Sequence, residues 1–403
     1  MTAISRRMAK ALPGASLVRR MFEEGVRLKN LHGPENVFDF SLGNPDLPPP
    51  PAFQDTLARL VRENAPGAHS YMPNAGWPRV RARVAEYLTR EQGEGLARPF
   101  TAEQVVMTAG AGGALNVILK AIVDPGDEIV SPRPYFMEYN FYADNHGGRL
   151  VPAEPGPGFA LNIAAIAEKM TPATRAVIIN SPHNPTGVIY PADDLAALGR
   201  VLAEAGARHG RPLFLIADEP YRKLAYDGLA VPSIFSAHPY SIVVHSHSKD
   251  LSIPGERIGY AAFNPDLPEG GPELGAALAL ANRVLGFVNA PSLMQLALAE
   301  LQGVAVEVGL YQKRRDMFVQ SLRDIGYRLT VPGGAFYLFP ESPLADDAAF
   351  VELLKEEKIL AVAGRGFAYP GYFRLCYCVP EATIERSRPG FARALEKAGA
   401  QSI

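Results

Sequence analysis

The chain has 403 residues, which is more than one hydrophobic core usually organises, so we expect more than one domain. With 47% hydrophobic residues, 20% charged residues and a net charge of −2, the composition gives no electrostatic reason to expect nucleic acid or an anionic membrane as a partner. No apolar run reaches the roughly 18 residues of a membrane helix, and none follows the basic residues at positions 6–10 as in a secretory signal.

The N-terminal segment is predicted to contain a strand at 37–41, followed by the turn Gly43-Asn44-Pro45-Asp46. Four prolines at 48–51 predict a stiff, extended linker. We expect residues 1–48 to pack with a small C-terminal domain. Residues 49–290 would form a large domain, and residues 291–403 an inter-domain helix and the small domain.

Between positions 79 and 244, short apolar runs alternate with helical patterns. We predict helices at 79–87, 114–122 and 193–209, and strands at 104–108, 128–130, 176–180, 213–218 and 242–244. This alternation indicates βαβ units, and therefore an α/β fold with a mainly parallel sheet covered by helices on both faces. Side chains after the carboxyl ends of such strands meet in one crevice. The residues expected there are Gly110, Gly112, Tyr135, Asn184, Asp218 and Lys249.

Beyond residue 326 the pattern changes to that of an α+β unit. Strands are predicted at 327–329, 335–339 and 373–378, and helices at 346–355 and within 382–397, the last interrupted or kinked at Pro389. Cys376 and Cys378 are separated by one residue, which is too close for an ordinary disulfide. We therefore expect reduced thiols and a cytoplasmic location.

The segment Ser246-His247-Ser248-Lys249 carries the strongest chemical signal. A lysine at the end of a buried strand is a candidate Schiff-base former, because desolvation favours the neutral, nucleophilic amine. Ser246, Ser248 and Arg257 are residue types that bind a phosphate group. A lysine beside a phosphate site predicts the cofactor pyridoxal phosphate. The alternative is an ordinary strand end with a solvated lysine and a surface ion pair.

Other residues meet the further demands of this cofactor. Asp218, at the end of an apolar strand, can keep the pyridine nitrogen protonated, although it could instead cap a helix or pair at the surface. Tyr221 and Asn184 are candidates for binding the phenolic oxygen, and Asn184 could also be a simple turn former.

The glycine-rich turn Gly110-Ala111-Gly112 opens a helix, where backbone N–H groups can bind the phosphate. A tight strand-to-helix turn would have the same sequence. Tyr135 can stack on the pyridine ring, or it can be an ordinary core residue.

Taken together, these residues resemble the fold-type I, class I/II aminotransferase family. The motifs are Asn184-Pro185-Thr186-Gly187, Asp218-Glu219-Pro220-Tyr221, Ser246-x-Ser248-Lys249 and Arg257-x-Gly259, in that family's order and spacing. The resemblance runs from Gly43 to Leu375 and implies a large domain with a mainly parallel seven-stranded sheet. It also implies a smaller α+β domain built from both termini.

The resemblance implies a role for each matching residue. Lys249 would hold pyridoxal phosphate as a Schiff base and then act as proton shuttle, Asp218 would bind the pyridine nitrogen, and Arg374 the substrate α-carboxylate. Gly43 would add a backbone N–H to that carboxylate. The further implied cofactor contacts are the ring stack of Tyr135, the phenolic oxygen bonds of Asn184 and Tyr221, and the phosphate contacts of Gly110, Ala111, Gly112, Ser246, Ser248 and Arg257.

The resemblance also implies a homodimer with shared active sites, because Tyr71 and Asn289 match residues that reach the neighbouring subunit's phosphate. The implied activity is transfer of an amino group from an α-amino acid to a 2-oxo acid, with 2-oxoglutarate as the favoured acceptor and ping-pong kinetics, in amino-acid metabolism or biosynthesis.

The substrate stays open, between an aspartate-type and a broad specificity. One branch of the family has a lysine where this chain has Gly112, and Arg283 is a candidate ligand for a distal carboxylate, one residue out of register. His183 is expected to be structural. Two alternatives are a carbon–sulfur β-lyase on the same scaffold and a non-catalytic regulator that binds pyridoxal phosphate.

Overall fold

A computed structural model describes residues 3–12 and 17–401, so the predicted segment 1–48 lies partly outside the described residues. The strands are β1 (Phe38–Asp39), β2 (Val105–Thr108), β3 (Glu128–Pro132), β4 (Arg149–Ala153), β5 (Thr174–Asn180), β6 (Phe214–Asp218), β7 (Ser241–Ser246), β8 (Gly259–Phe263), β9 (Tyr337–Leu338), β10 (Ile359–Leu360), β11 (Val362–Ala363) and β12 (Phe373–Cys376). The helices are α1 (Arg6–Ala11), α2 (Leu17–His32), α3 (Pro51–Glu63), α4 (Pro78–Gln92), α5 (Gly110–Ile122), α6 (Glu138–Asn145), α7 (Ile163–Glu168), α8 (Ala192–His209), α9 (His247–Asp250), α10 (Gly271–Val284), α11 (Ser292–Leu298), α12 (Val308–Ile325), α13 (Asp347–Glu356) and α14 (Glu381–Gln401).

The largest sheet has seven strands in the order β2-β8-β7-β6-β5-β3-β4. Only β8 runs antiparallel to its neighbours, which confirms the predicted α/β fold with a mainly parallel sheet. Successive side chains of a strand point to opposite faces, so Val177 and Ile179 join one apolar cluster while Ala176 and Ile178 join the other. Both faces are therefore buried, which explains the continuous apolar runs in the sequence.

The C-terminal part forms a second unit around its own aromatic core. Strands β11, β12 and β9 make an antiparallel sheet. Strand β1 pairs in parallel with β10, so the segment before the prolines lies against the C-terminal unit. Phe40, Phe318 and Phe391 pack ring against ring, with centroids 4.9 to 6.0 Å apart. Ring pairs at this spacing add to the stability gained from their burial.

The helix that follows residue 290 packs against the large domain. Met294, Leu296 and Leu298 of α11 belong to the same apolar cluster as β2 of the seven-stranded sheet, and so does Leu301. We therefore propose that the large domain extends through residue 301, rather than ending at 290.

One local prediction is wrong. Residues 327–329 do not form a strand: the Tyr327 ring packs edge-on against Phe391, and its hydroxyl donates to the Phe391 carbonyl over 2.9 Å. Of the two outcomes predicted at Pro389, an interruption or a kink, the interruption is absent, because α14 continues through Pro389 to Gln401 and packs against α12 and α13. In residues 3–12 and 17–401, no helix has the length and apolar character to cross a membrane.

Candidate active site

A cavity of about 420 Å³ opens at the carboxyl ends of β5, β6 and β7, beside the C-terminal unit. The strand register brings these ends together, since Asn180 pairs with Asp218 and Asp218 with Val244. The predicted site residues that line the cavity are Gly43, Ala111, Gly112, Asn184, Asp218, Tyr221, Ser246, Ser248, Lys249, Arg257 and Arg374.

Lys249 lies on the one-turn helix α9, which begins where β7 ends and is capped by the Ser246 side chain. Its Nζ donates to the Gly43 carbonyl over 2.7 Å. Burial lowers the pKa of the Lys249 amine, and the positive charge of Arg374 acts in the same direction. Both effects favour the neutral amine, which is the form that attacks a carbonyl group and accepts a proton.

Glycine is required at position 43 because the chain passes very close to Tyr337. A Cβ on Gly43 would lie 2.0 Å from the Tyr337 hydroxyl, so any other residue would push the chain away from Lys249.

Asp218 is a buried carboxylate with one free oxygen. Its Oδ2 accepts a hydrogen bond from the Tyr139 hydroxyl at 2.7 Å, while Oδ1 is buried and has no partner among the described residues. Burial raises the pKa of Asp218 to about 6. A buried acceptor without a donor is costly unless a ligand supplies one. The free oxygen therefore fits the protonated ring nitrogen of pyridoxal phosphate.

At another part of the cavity, helix α5 begins in close contact with Arg257. Gly110 has a φ of +69°, and a Cβ there would lie 2.7 Å from Arg257 Nη2. The N-terminal residues Ala111 and Gly112 line the cavity, where the positive end of the helix favours an anion.

Hydroxyl and guanidinium groups complete this anion site. Ser246 and Ser248 share a hydrogen bond of 2.8 Å between their Oγ atoms. The exposed guanidinium of Arg257 donates hydrogen bonds to the carbonyl oxygens of Pro254 and Ala109, at 3.2 and 3.4 Å. It has no carboxylate partner within the described chain. These groups fit the phosphate of the cofactor.

Arg374, on β12, is a buried guanidinium that lacks a carboxylate in the described structure. It is 3% exposed and donates to the Ser41 carbonyl (2.7 Å) and to Asn184 Oδ1 (3.1 Å). The guanidinium carbon lies 4.5 Å from the ring centroid of Tyr337 and 4.7 Å from that of Phe367, and Nε has no partner. A buried charge of this kind is normally paired, so Arg374 fits a carboxylate ligand.

Tyr221 and Asn184 lie beside this guanidinium. The Tyr221 hydroxyl is 2.9 Å from the Tyr337 hydroxyl, and burial raises the pKa of Tyr221, which keeps it protonated and able to donate. Asn184 is held by its backbone N–H, which donates to Asn180 Oδ1 over 2.6 Å.

Tyr135 does not lie where the sequence analysis expected it. Its ring is buried in the apolar cluster under the sheet, and its neighbour Phe136 lines the cavity instead. Of these two neighbouring rings, only that of Phe136 is on the cavity wall. We therefore assign the stacking ring to Phe136 as a proposal.

Three further predicted residues are not on the cavity wall of their own chain. Tyr71, predicted to reach a neighbouring subunit, is 88% exposed. Asn289, with the same predicted role, donates through Nδ2 to the adjacent Ala290 carbonyl over 2.9 Å. Arg283, the candidate ligand for a distal carboxylate, is exposed on α10.

His183 and the two cysteines are buried. His183 Nδ1 is 2.7 Å from Thr186 Oγ1, and burial lowers the pKa of the imidazole to about 4. Cys376 and Cys378 are free thiols.

Several cavity residues were missed from the sequence. The clearest is Tyr139, whose bond to Asp218 spans 79 positions of the chain. The other missed residues on the cavity wall are Leu42, Leu115, Phe136, Glu138, Tyr142, Asn180, Pro220, Pro254 and Tyr337.

The family model described as aminotransferase class I and II matches residues 35–388. The chain belongs to the class I and II aminotransferase family. It is 30% identical to the aspartate/prephenate aminotransferase of Thermus thermophilus, over 99% of this chain and 100% of that protein. It is also 30% identical to the aspartate aminotransferase of Geobacillus stearothermophilus, over 98% of this chain and 99% of that protein.

Solved structures of aminotransferases agree with this family. An aminotransferase from Eubacterium rectale superimposes with a TM-score of 0.93, at 37% identity, over 98% of this chain and 99% of that one. The Thermus thermophilus aspartate aminotransferase with maleate gives a TM-score of 0.85 at 28% identity, over 98% and 100% of the two chains.

The protein is thus a pyridoxal phosphate-dependent transaminase that acts on an amino acid and a 2-oxo acid. This confirms the family, fold class, cofactor and reaction that the sequence predicted.

Proposed function

We propose that this transaminase moves the amino group by a ping-pong reaction in which Lys249 is both the attachment point of the cofactor and the proton shuttle. One observation carries the proposal: a partly buried amine lies in one cavity with a carboxylate oxygen that lacks a donor, on Asp218, and a guanidinium that lacks a carboxylate, on Arg374. These are the groups that a cofactor ring and an α-amino acid would complete.

When bound, pyridoxal phosphate supplies an electron sink that makes the Cα proton of the amino acid acidic. Asp218 Oδ1 would accept the ring N–H, and Tyr139 holds the carboxylate in position through Oδ2. The ring would lie against Phe136, and the phosphate against the α5 N-terminus, Ser246, Ser248 and Arg257.

Arg374 orients the substrate through its α-carboxylate, with Gly43 and Asn184 beside it. Lys249 Nζ would then accept the proton from Cα and deliver it to the cofactor, acting first as general base and then as general acid. The Gly43 carbonyl, 2.7 Å from Nζ, holds the free amine near its working position. The acceptor is a 2-oxo acid, and 2-oxoglutarate is the first one to test.

The decisive experiment follows the absorbance of the bound cofactor after addition of an α-amino acid alone. A transaminase releases one 2-oxo acid per active site and then stops, whereas a β-lyase keeps releasing pyruvate without an acceptor. Lys249→Ala should lower the rate of this half-reaction at least about 10³-fold, while Lys120→Ala, an exposed lysine on α5, should not change it. Full turnover by Lys249→Ala, or continued pyruvate release by the wild type, would contradict the proposal.

We further propose a homodimer with shared sites, supported by the 88% exposure of the Tyr71 ring, since large exposed aromatics are common at interfaces. Light scattering that finds a monomer at working concentration would exclude it. A cytoplasmic enzyme of amino-acid biosynthesis is also proposed, in agreement with the free thiols Cys376 and Cys378.

A further inference from the structure

Glu138 is a carboxylate on the cavity wall whose charge is not offset by any side chain that the structure describes. It is the first residue of α6 and is half-buried beside Phe136. Burial raises the pKa of Glu138, and neither a charged neighbour nor a hydrogen bond acts against this rise. The reaction described above gives this acid no role.

The other charged groups that line the cavity are already used. Arg257 would bind the phosphate, Arg374 the α-carboxylate, and Lys249 the cofactor, while Asp218 would face the ring nitrogen. Once the cofactor and the α-carboxylate of a substrate are in place, Glu138 is left without a charged partner among the described residues, and only the positive end of α6 offsets its charge. A positive charge on the substrate side chain would then complement the Glu138 carboxylate.

The next cavity-lining residue of α6 after Tyr139 is also not a cation. Tyr142 lies one helical turn further along α6, and its hydroxyl is 2.9 Å from the position of a Cβ on Gly112. Burial raises the pKa of Tyr142, so this phenol is neutral. The phenol therefore takes up the space in which a longer side chain at position 112 could lie.

We propose that Glu138 sets the charge preference of this transaminase, disfavouring substrates with a side-chain carboxylate and favouring side chains that are cationic or donate a hydrogen bond. This rests on the proposed function, because it assumes that Arg374 binds the α-carboxylate. By the same reasoning, a 2-oxo acid with one carboxylate is preferred to 2-oxoglutarate as the acceptor. This differs from the sequence resemblance, which implies 2-oxoglutarate as the favoured acceptor, so comparing the two kinds of acceptor tests the proposal directly.

Glutamate and glutamine make a matched donor pair, because they differ in charge but hardly in shape. In the half-reaction we expect the wild type to prefer glutamine in kcat/KM. Glu138→Gln should reduce the glutamine-to-glutamate ratio roughly 10-fold, the order expected for removing one like charge from a partly buried site. Glu168→Gln, an exposed glutamate on α7, is the control and should leave the ratio unchanged.

Equilibrium binding gives a second readout that needs no turnover. The dissociation constants of maleate and of 3-methylbutanoate are measured from the absorbance of the bound cofactor in the holoenzyme. Glu138→Gln should tighten maleate roughly 10-fold and change 3-methylbutanoate less than about 2-fold.

Unchanged donor ratios and unchanged maleate binding in Glu138→Gln would overturn the inference. If the proposed function itself is wrong, the result is different: no amino donor would convert the cofactor in the wild type or in Glu138→Gln. In that case the maleate measurement would still decide the charge preference.

Discussion

Arg374→Lys tests the substrate end of the site most sharply. Lysine keeps the positive charge, but it loses the planar fork that can hold a carboxylate through two parallel hydrogen bonds. The guanidinium is 3% exposed, so water cannot replace the lost contact.

The expected loss of transition-state stabilisation follows from the contacts of Arg374. One charge-assisted hydrogen bond contributes about 1.5–3 kcal/mol. The shorter lysine would also give up the contacts that orient the group, at 2.7 Å to the Ser41 carbonyl and 3.1 Å to Asn184 Oδ1. We expect a loss of about 2–4 kcal/mol of transition-state stabilisation, which is a fall in kcat/KM of roughly 30- to 1,000-fold.

The assay is the donor half-reaction, followed by cofactor absorbance for amino acids with different side chains. The fall should be similar for all of them, because they share the α-carboxylate. Arg315→Lys is the matched control: Arg315 is also 3% exposed, but it binds Asp227 and Asp316 within the chain. It should lower stability without lowering kcat/KM. Near wild-type kinetics of Arg374→Lys, or a fall confined to some side chains, would refute the assignment.

Two further predictions concern stability. Because burial depresses the pKa of His183 from 6.5 to about 4, the unfolded state binds its proton first, and stability falls as the pH drops from about 6.5 towards 4. His183→Asn should therefore reduce the loss of unfolding free energy between pH 7 and pH 5 by about 2 kcal/mol in urea titrations, and an unchanged pH dependence would contradict this. Asp250, fully buried under Lys249, binds Lys223 Nζ at 2.9 Å as well as His245 and His247. Asp250→Asn should cost about 3 kcal/mol in the same titrations, since it leaves the charge of the largely buried Lys223 with only the Val304 carbonyl as a partner, and a loss below about 1 kcal/mol would show that the ion pair is not needed.

The strand ends were predictable because each is an apolar run that stops at a polar side chain. Asn180, Asp218 and Ser246 are the last residues of β5, β6 and β7, and the rule for parallel sheets brings such ends together. The cofactor groups could therefore be found without knowing any distance.

The cavity-lining residues in the loop after β3 and at the start of α6 were less predictable. Whether Tyr135 or Phe136 faces the cavity depends on how the loop leaves β3, and the roles of Tyr139 and Glu138 depend on where α6 begins. Periodicity does not define these starting points. The alternating pattern at 327–329 was misleading, because Tyr327 and Leu329 both pack on the apolar core of the C-terminal unit from a loop and not from a strand.

The pairing of β1 with β10 has a consequence for how the chain is made. Phe38 lies beside Ile359, about 320 residues further along, and the Phe40 N–H donates to the Leu360 carbonyl over 3.0 Å. During synthesis the seven-stranded sheet has all its strands once residue 263 has emerged. Strand β1, in contrast, cannot pair until its partner β10 at Ile359–Leu360 has been made. Gly43, which contacts the reactive lysine, lies just beyond that strand. A ribosome-bound fragment that ends before residue 359 would thus lack the pairing that holds this segment, so the active site is among the last parts of the molecule to be assembled.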